Sequence, residues 1–304
     1  MSKAIVKKIT VNECRFPRFA GLILLLVAII AFFINIHFVM TIGKRRQISP
    51  RDRYLVFGMF IPSLCVIIFS VPLVVIQCFL CRRLCSSFIC RIEGFNSFIN
   101  VCLTIYMLLA LSILRYSTSS RYSKQSFKKY SLFLIMICFI LSSIWAVPPI
   151  FGYIGTYVPE GLGFHCSLNW FVDSLTTRIY YFLLFIGVYF IPIIIILYIN
   201  IYIDRTVHHY HTVLLEMINV GLSSNYILER LHEDRRFVLA TGISIIIHLV
   251  TWAPYSIVAI AHLFGESVVL YNPWLITICA LIAKVSIIIS PIIYITLLKY
   301  REDQ

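Results

Sequence analysis

Charge is scarce in this chain, and acidic charge scarcest. Only 13% of its 304 residues are Asp, Glu, Lys or Arg, and the 13 acids are outnumbered two to one by 26 Lys and Arg. Hydrophobic residues make up 60% and the mean hydropathy is +0.92. A soluble domain of this size has no use for so much apolar surface. No Asn-x-Ser/Thr occurs, so N-glycosylation is not expected. No internal repeat, low-complexity tract or change of composition divides the chain, which reads as one domain over 1–304. The apolar runs do not alternate apolar and polar residues, which excludes a membrane β-barrel. No cluster has metal-ligand spacing; His208, His209 and His211 in "HHYH" read as a solvated helix face.

Long apolar runs are what remains. Seven stand out, at about 19–42, 54–80, 90–114, 130–152, 178–203, 236–264 and 272–298. Each is near or above the ~20 residues that cross ~30 Å of hydrocarbon. Only helices or closed barrels satisfy every backbone group in lipid, so the reading is an all-α, multi-pass membrane protein with seven transmembrane helices. The net charge of +13 is then a topology signal and not a nucleic-acid one. Loops 43–53, 115–129 and 204–236 with the end from 299 carry 16 Lys and Arg, against nine on the other side. Positive charge favours the cytoplasm. The N-terminal tail 1–18 is therefore expected outside and the minimal tail 299–304 inside, in the cell membrane. Lys3, Lys7, Lys8, Arg15 and Arg18 pull the other way. The first run is long enough to span and lacks a small-residue cleavage site, so no cleaved signal is expected. Loop 204–235 mixes charge with apolar residues at helical spacing. It is expected to prolong helices five and six beyond the membrane, with a break at Gly221–Ser224.

Ten cysteines divide by position. Cys65, Cys102, Cys138 and Cys279 fall inside apolar runs, as small hydrophobes. Cys90 and Cys166 lie on the outer, oxidising face, where a disulfide can form. Cys14, Cys78, Cys81 and Cys85 lie near the same face, so spacing leaves several pairings open.

Two charges sit where they are costly. Lys284, in "ALIAKVSIII", lies about 12 residues, or about 18 Å, into its run, too deep to snorkel easily. Glu93, in "CRIEGF", lies three residues inside Cys90. A lone charge in a bilayer costs several kcal/mol, so such residues are usually paired and functional. The bland alternatives are a lysine at the interface and a helix-end carboxylate facing water.

Several short stretches point to one family. "TWAPY" (251–255) resembles the Cys-Trp-x-Pro-Tyr of helix six in rhodopsin-class G-protein-coupled receptors. "SPIIY" (290–294) resembles Asn-Pro-x-x-Tyr, and "LRY" (114–116) resembles Asp/Glu-Arg-Tyr. Asn35 matches the helix-one asparagine. "AKVSIIISPIIY" is similar to the opsin helix-seven stretch, whose lysine binds retinal as a Schiff base. "VPPIFGYIGTYVPEGLGFHCSLNW" (147–170) resembles the opsin second outer loop, with Pro-Glu-Gly in a short β-hairpin plug and a cysteine after it. "CRIEGF" matches the opsin start of helix three.

The resemblance, which covers 19–301, implies a set of roles. Lys284 carries retinal, Glu93 is the counterion and Glu160 the alternative. Trp252 and Tyr255 line the pocket, and Cys90 pairs with Cys166. Arg115, Tyr116, Asp234, Pro291 and Tyr294 serve signalling, with an Arg115–Asp234 latch between helices three and six. Glu160, on a loop beside the polar "GFHCSLN", is expected to reach water. His248 and His37 read as interior histidines. The chemistry agrees: a lysine amine condenses with an aldehyde, and a nearby carboxylate stabilises the resulting cation in a dry site.

The pattern breaks on the cytoplasmic half. Ser63 stands for the helix-two aspartate, Leu114 for the acid before Arg115, Ser290 for asparagine, Asn200 for the helix-five tyrosine and Phe139 for the helix-four tryptophan. The short tail leaves little room for an eighth helix. Two readings follow. One is a light-activated receptor, holding 11-cis-retinal and coupling to a heterotrimeric G protein. The other is a retinal photoisomerase that binds the all-trans form. A chemoreceptor without retinal is a third, and Lys284 argues against it.

Overall fold

The computed structural model describes residues 14–44, 50–82, 86–120, 127–170, 174–219, 225–264 and 272–299. Among them, seven helices are long and apolar enough to cross a membrane. They are Arg15–Met40, Tyr54–Leu80, Ser87–Tyr116, Tyr130–Phe151, Leu175–Thr206, Val238–Ala261 and Pro273–Tyr294, here helix one to helix seven. Their outward faces carry exposed Phe33, Phe69, Ile194 and Val250. On a water-soluble protein such apolar surface would mark an interface; around a bundle it suits lipid. The fifth helix continues to Asn219 and the sixth begins at Asn225, so both extend well past the apolar spans. The expected break at 221–224 falls outside the described residues.

Proline shapes three of the spans. It lacks an N–H and frees a carbonyl in the preceding turn. Before Pro72 and Pro192, helices two and five widen into π turns at Val66–Ser70 and Phe185–Phe190, the usual way a helix absorbs an extra residue. Side chains from helix three bond at both turns. Asn96 Nδ2 donates to the Cys65 carbonyl and, at 2.8 Å, to Ser70 Oγ. The Tyr106 hydroxyl donates to the Gly187 carbonyl at 3.1 Å. In helix six Pro254 lies one turn above Thr251, whose hydroxyl returns to the Ile247 carbonyl at 2.8 Å.

Between helices four and five the chain forms an antiparallel hairpin, β1 (Tyr157–Glu160) and β2 (His165–Leu168). The register pairs Tyr157 with Leu168, Pro159 with Cys166 and Glu160 with His165. Gly161 turns the hairpin with φ +58°, against Thr277 of helix seven, where a Cβ would meet the Thr277 hydroxyl at 2.5 Å. The hairpin is driven in among the helices. At Gly94 of helix three a Cβ would come within 2.7 Å of the Tyr157 ring, so "CRIEGF" needs its glycine there. The Tyr157 hydroxyl donates to the Ala146 carbonyl at 2.8 Å, and burial pushes its phenol well above the ordinary range.

Two disulfides pin this face. Cys90–Cys166 ties β2 to the start of helix three, the pairing the resemblance implied. Cys14–Cys81 ties the start of helix one to the end of helix two. Spacing had left its partners open, and nothing short of the fold selects Cys81 over Cys78, which is free and buried.

Candidate functional site

Lys284 lies in the middle of helix seven and is the only lysine within the seven spans. Three cavities meet at it. The largest of the three lies under the hairpin and is lined by Phe98, Trp170, Phe185, Trp252, Tyr255 and Lys284, among others. A second, more polar cavity lies below, between Ser63, Asn100, His248, Trp252 and Lys284. A third separates Lys284 from helices one and two and reaches His165. Trp252 divides the first two. Its indole N–H donates to Ser286 Oγ at 3.3 Å, and its ring stacks on His248 at 5.6 Å.

Two carboxylates converge on Lys284, and both act electrostatically on its ammonium. Glu93 is 4% exposed. Its Oε2 accepts the Cys166 backbone N–H at 2.9 Å, next to the disulfide, and its Oε1 has no hydrogen-bond partner among the described residues. Arg91 does not turn inward to it: the guanidinium donates to the Ile150 carbonyl at 3.1 Å.

Glu160 differs from the expectation that it reaches water, because its side chain is only 12% exposed. The hairpin lies deep in the bundle, and that insertion, invisible in local polarity, buries it. Glu160 Oε2 accepts the Tyr255 hydroxyl at 2.9 Å and lies 3.3 Å from His165 Nε2. Trp170 Nε1 donates to the same Tyr255 oxygen at 3.0 Å. Glu160, His165, Tyr255 and Trp170 thus form one polar cluster joining the hairpin to helix six. His165 and Trp170 were missed from the sequence. A signal for His165 existed, because a tight turn at Gly161–Gly163 places it opposite Glu160 on one hairpin face.

At the opposite end of the bundle the expected residues are more dispersed. Arg115 is buried at 8%, beside fully buried Leu114. Tyr116 meets the ring of Tyr202 at 5.1 Å. Tyr294 is fully buried between Phe38 and Phe60, and its hydroxyl lies 3.4 Å from Thr241 Oγ1. Asn200 bridges to Ser112 of helix three at 3.4 Å, and Asn35 ties helix one to the Ile287 carbonyl at 3.3 Å. Asp234 and Pro291 lie on helices, but their side chains, and so the Arg115–Asp234 latch, fall outside the described residues. No group of His, Cys, Asp and Glu that could hold a metal occurs among the described residues.

The geometry meets known proteins at this point. The family model for seven-transmembrane receptors of the rhodopsin family matches residues 34–294. Melanopsin of Branchiostoma belcheri is 27% identical over 268 residues, 85% of this chain and 38% of that protein. Melanopsin of Mus musculus is 27% identical over 286 residues, 92% of this chain and 54% of that protein. Melanopsin-A of Danio rerio is 34% identical over 177 residues, 57% of this chain and 29% of that protein. The chain thus spans about half or less of the length of these relatives. The crystal structure of squid rhodopsin superposes with a TM-score of 0.85 at 24% identity, covering 95% of this chain and 84% of that one, a likeness of fold. The chain belongs to the rhodopsin family of seven-transmembrane receptors, on its opsin branch.

Proposed function

We propose that this chain is a light-sensing receptor that holds retinal covalently at Lys284. The observation that carries the reading is the one lysine within the spans, facing an aromatic pocket with two buried carboxylates beside it. The pocket suits a polyene aldehyde: its walls are mainly apolar, and its polar groups gather near the lysine and the hairpin roof. Lys284 would hold the chromophore through its amine, which can condense with an aldehyde carbon with loss of water. Retinal held there supplies the light-driven change of double-bond geometry. Glu93 is the better counterion: one oxygen is free of hydrogen bonds, while Glu160 is engaged by Tyr255 and His165. The Cys90–Cys166 disulfide and the hairpin keep water from the site. Trp252, between the retinal pocket and the polar cavity below, is placed to pass a change of shape to helix six.

On this reading the hairpin face is outside, and a heterotrimeric G protein docks at the opposite face, where Arg115, Tyr116 and Tyr294 lie. The 11-cis form is the dark ligand. A retinal photoisomerase binding the all-trans form is a second reading. It is favoured by fully buried Leu114, which removes the carboxylate beside Arg115. Absorption spectra with each isomer separate the two. A visible band with 11-cis-retinal and light-dependent nucleotide exchange on a G protein support the receptor. A dark band only with the all-trans form, and release of 11-cis on illumination, would replace it by the isomerase. No band with either would sink the retinal reading.

A further inference from the structure

We propose that His165 sets how the two buried carboxylates share the positive charge at Lys284. With a proton on its ring, His165 pairs with Glu160 and leaves Glu93 to balance Lys284, an assignment that rests on the retinal site proposed above. His165 sits between the two acids. It lies opposite Glu160 across the hairpin, with Nε2 3.3 Å from Oε2, and immediately before Cys166, whose N–H holds Glu93. Its side chain is 11% exposed. It lines both the aromatic pocket and the cavity toward helices one and two, each of which also reaches Lys284.

Charge balance carries the argument. Glu93 and Glu160 bring two negative charges into a site that burial keeps poor in water, and Lys284 brings one positive charge. Burying unbalanced charge is costly, and a protonated His165 makes the sum zero. The other titratable groups that face this cluster are Tyr255 from helix six, Tyr189 from helix five, Cys78 from helix two and Cys279 from helix seven. A phenol and a thiol are uncharged at neutral pH, so neither supplies the missing charge. Histidine is the remaining side chain in the cluster that can carry a positive charge. Loss of its proton leaves Glu160 an uncompensated carboxylate beside the polyene, and the pigment's colour reports that change.

The test uses the full chain loaded with 11-cis-retinal, its spectrum followed from pH 5 to 8 in the wild type, His165→Asn and Glu160→Gln. The band maximum is expected to move reversibly in the wild type and to stay fixed in both variants. The same movement in His165→Asn, or a fixed band in the wild type, overturns the proposal. Borohydride trapping of the wild type at Lys284 tests the retinal reading separately. If that adduct is absent, or if His165→Asn does not fold, ligand-free wild type and Glu160→Gln decide through the ring-nitrogen resonances of histidine. One ring whose titration shifts when Glu160 is replaced supports the pairing, and histidine titrations identical in the two overturn it.

Discussion

The half of the bundle under the hairpin and the half opposite it are held by different means. Under the hairpin two disulfides, a four-residue polar cluster and the Glu93 bond to the Cys166 backbone tie hairpin and helices together. The contacts described in the opposite half include aromatic ones, such as Tyr116 with Tyr202, and hydroxyl and amide bonds, such as Tyr294 to Thr241 at 3.4 Å and Asn200 to Ser112 at 3.4 Å. The departures from the family pattern at Ser63, Leu114, Asn200 and Ser290 fall below the pocket under the hairpin or in this second half. Covalent and charged contacts are expensive to break, whereas packing and weak hydrogen bonds rearrange at lower cost. On the proposed function, one end holds the ligand in fixed geometry and the other changes shape.

The contrast fails if equal disruption at the two ends costs the same. The largest effect is expected from Cys166→Ser. In the chain-entropy account a closed loop of 76 residues contributes about 4 kcal/mol. Thermal unfolding in detergent checks it; a loss under about 1 kcal/mol would mean the hairpin is held by packing alone. Gly94→Ala comes next. The new methyl meets the Tyr157 ring at 2.7 Å, and overpacking of that kind costs about 1–3 kcal/mol. A wild-type-like melting point would place the hairpin farther from helix three. Tyr255→Phe removes the hydroxyl shared by Glu160 and Trp170, for about 1–2 kcal/mol. Tyr294→Phe, at the other end, loses the hydroxyl that lies 3.4 Å from Thr241 Oγ1 and is expected to cost about 0.5 kcal/mol. Should Tyr294→Phe prove the more damaging of the two, the difference between the ends has been drawn the wrong way round.

The counterion assignment sharpens the same comparison inside one half. With 11-cis-retinal bound, Glu93→Gln should move absorption at neutral pH from the visible to the near ultraviolet, because the cation loses its free carboxylate. Glu160→Gln should stay in the visible. Absorption of the two purified variants decides, and the opposite pattern would transfer the role to Glu160.

What was legible in the sequence follows from how far each signal reaches. The seven spans show themselves because hydrocarbon demands some twenty apolar residues in a row. Lys284 and Glu93 show themselves because a charge in such a run is conspicuous. Pro-Glu-Gly marks the hairpin turn locally. The burial of Glu160 does not show, because the polar residues around it read as loop, and only the insertion of the hairpin among helices three, six and seven encloses it. The Cys14–Cys81 pair was hidden for a similar reason, since Cys78 and Cys85 lie at nearly the same distance along the chain. The π turns bring the Cys65 and Gly187 carbonyls within reach of Asn96 and Tyr106 from helix three, which no single run encodes.

The central claim is that Lys284 is the covalent attachment point. The most direct measurement is borohydride reduction of the protein incubated with 11-cis-retinal, followed by peptide mass mapping of wild type and Lys284→Met. The account predicts one retinyl group, on the peptide that carries Lys284, and none in a folded, membrane-inserted Lys284→Met. A retinyl group on any other lysine, or an unlabelled wild type, would contradict it.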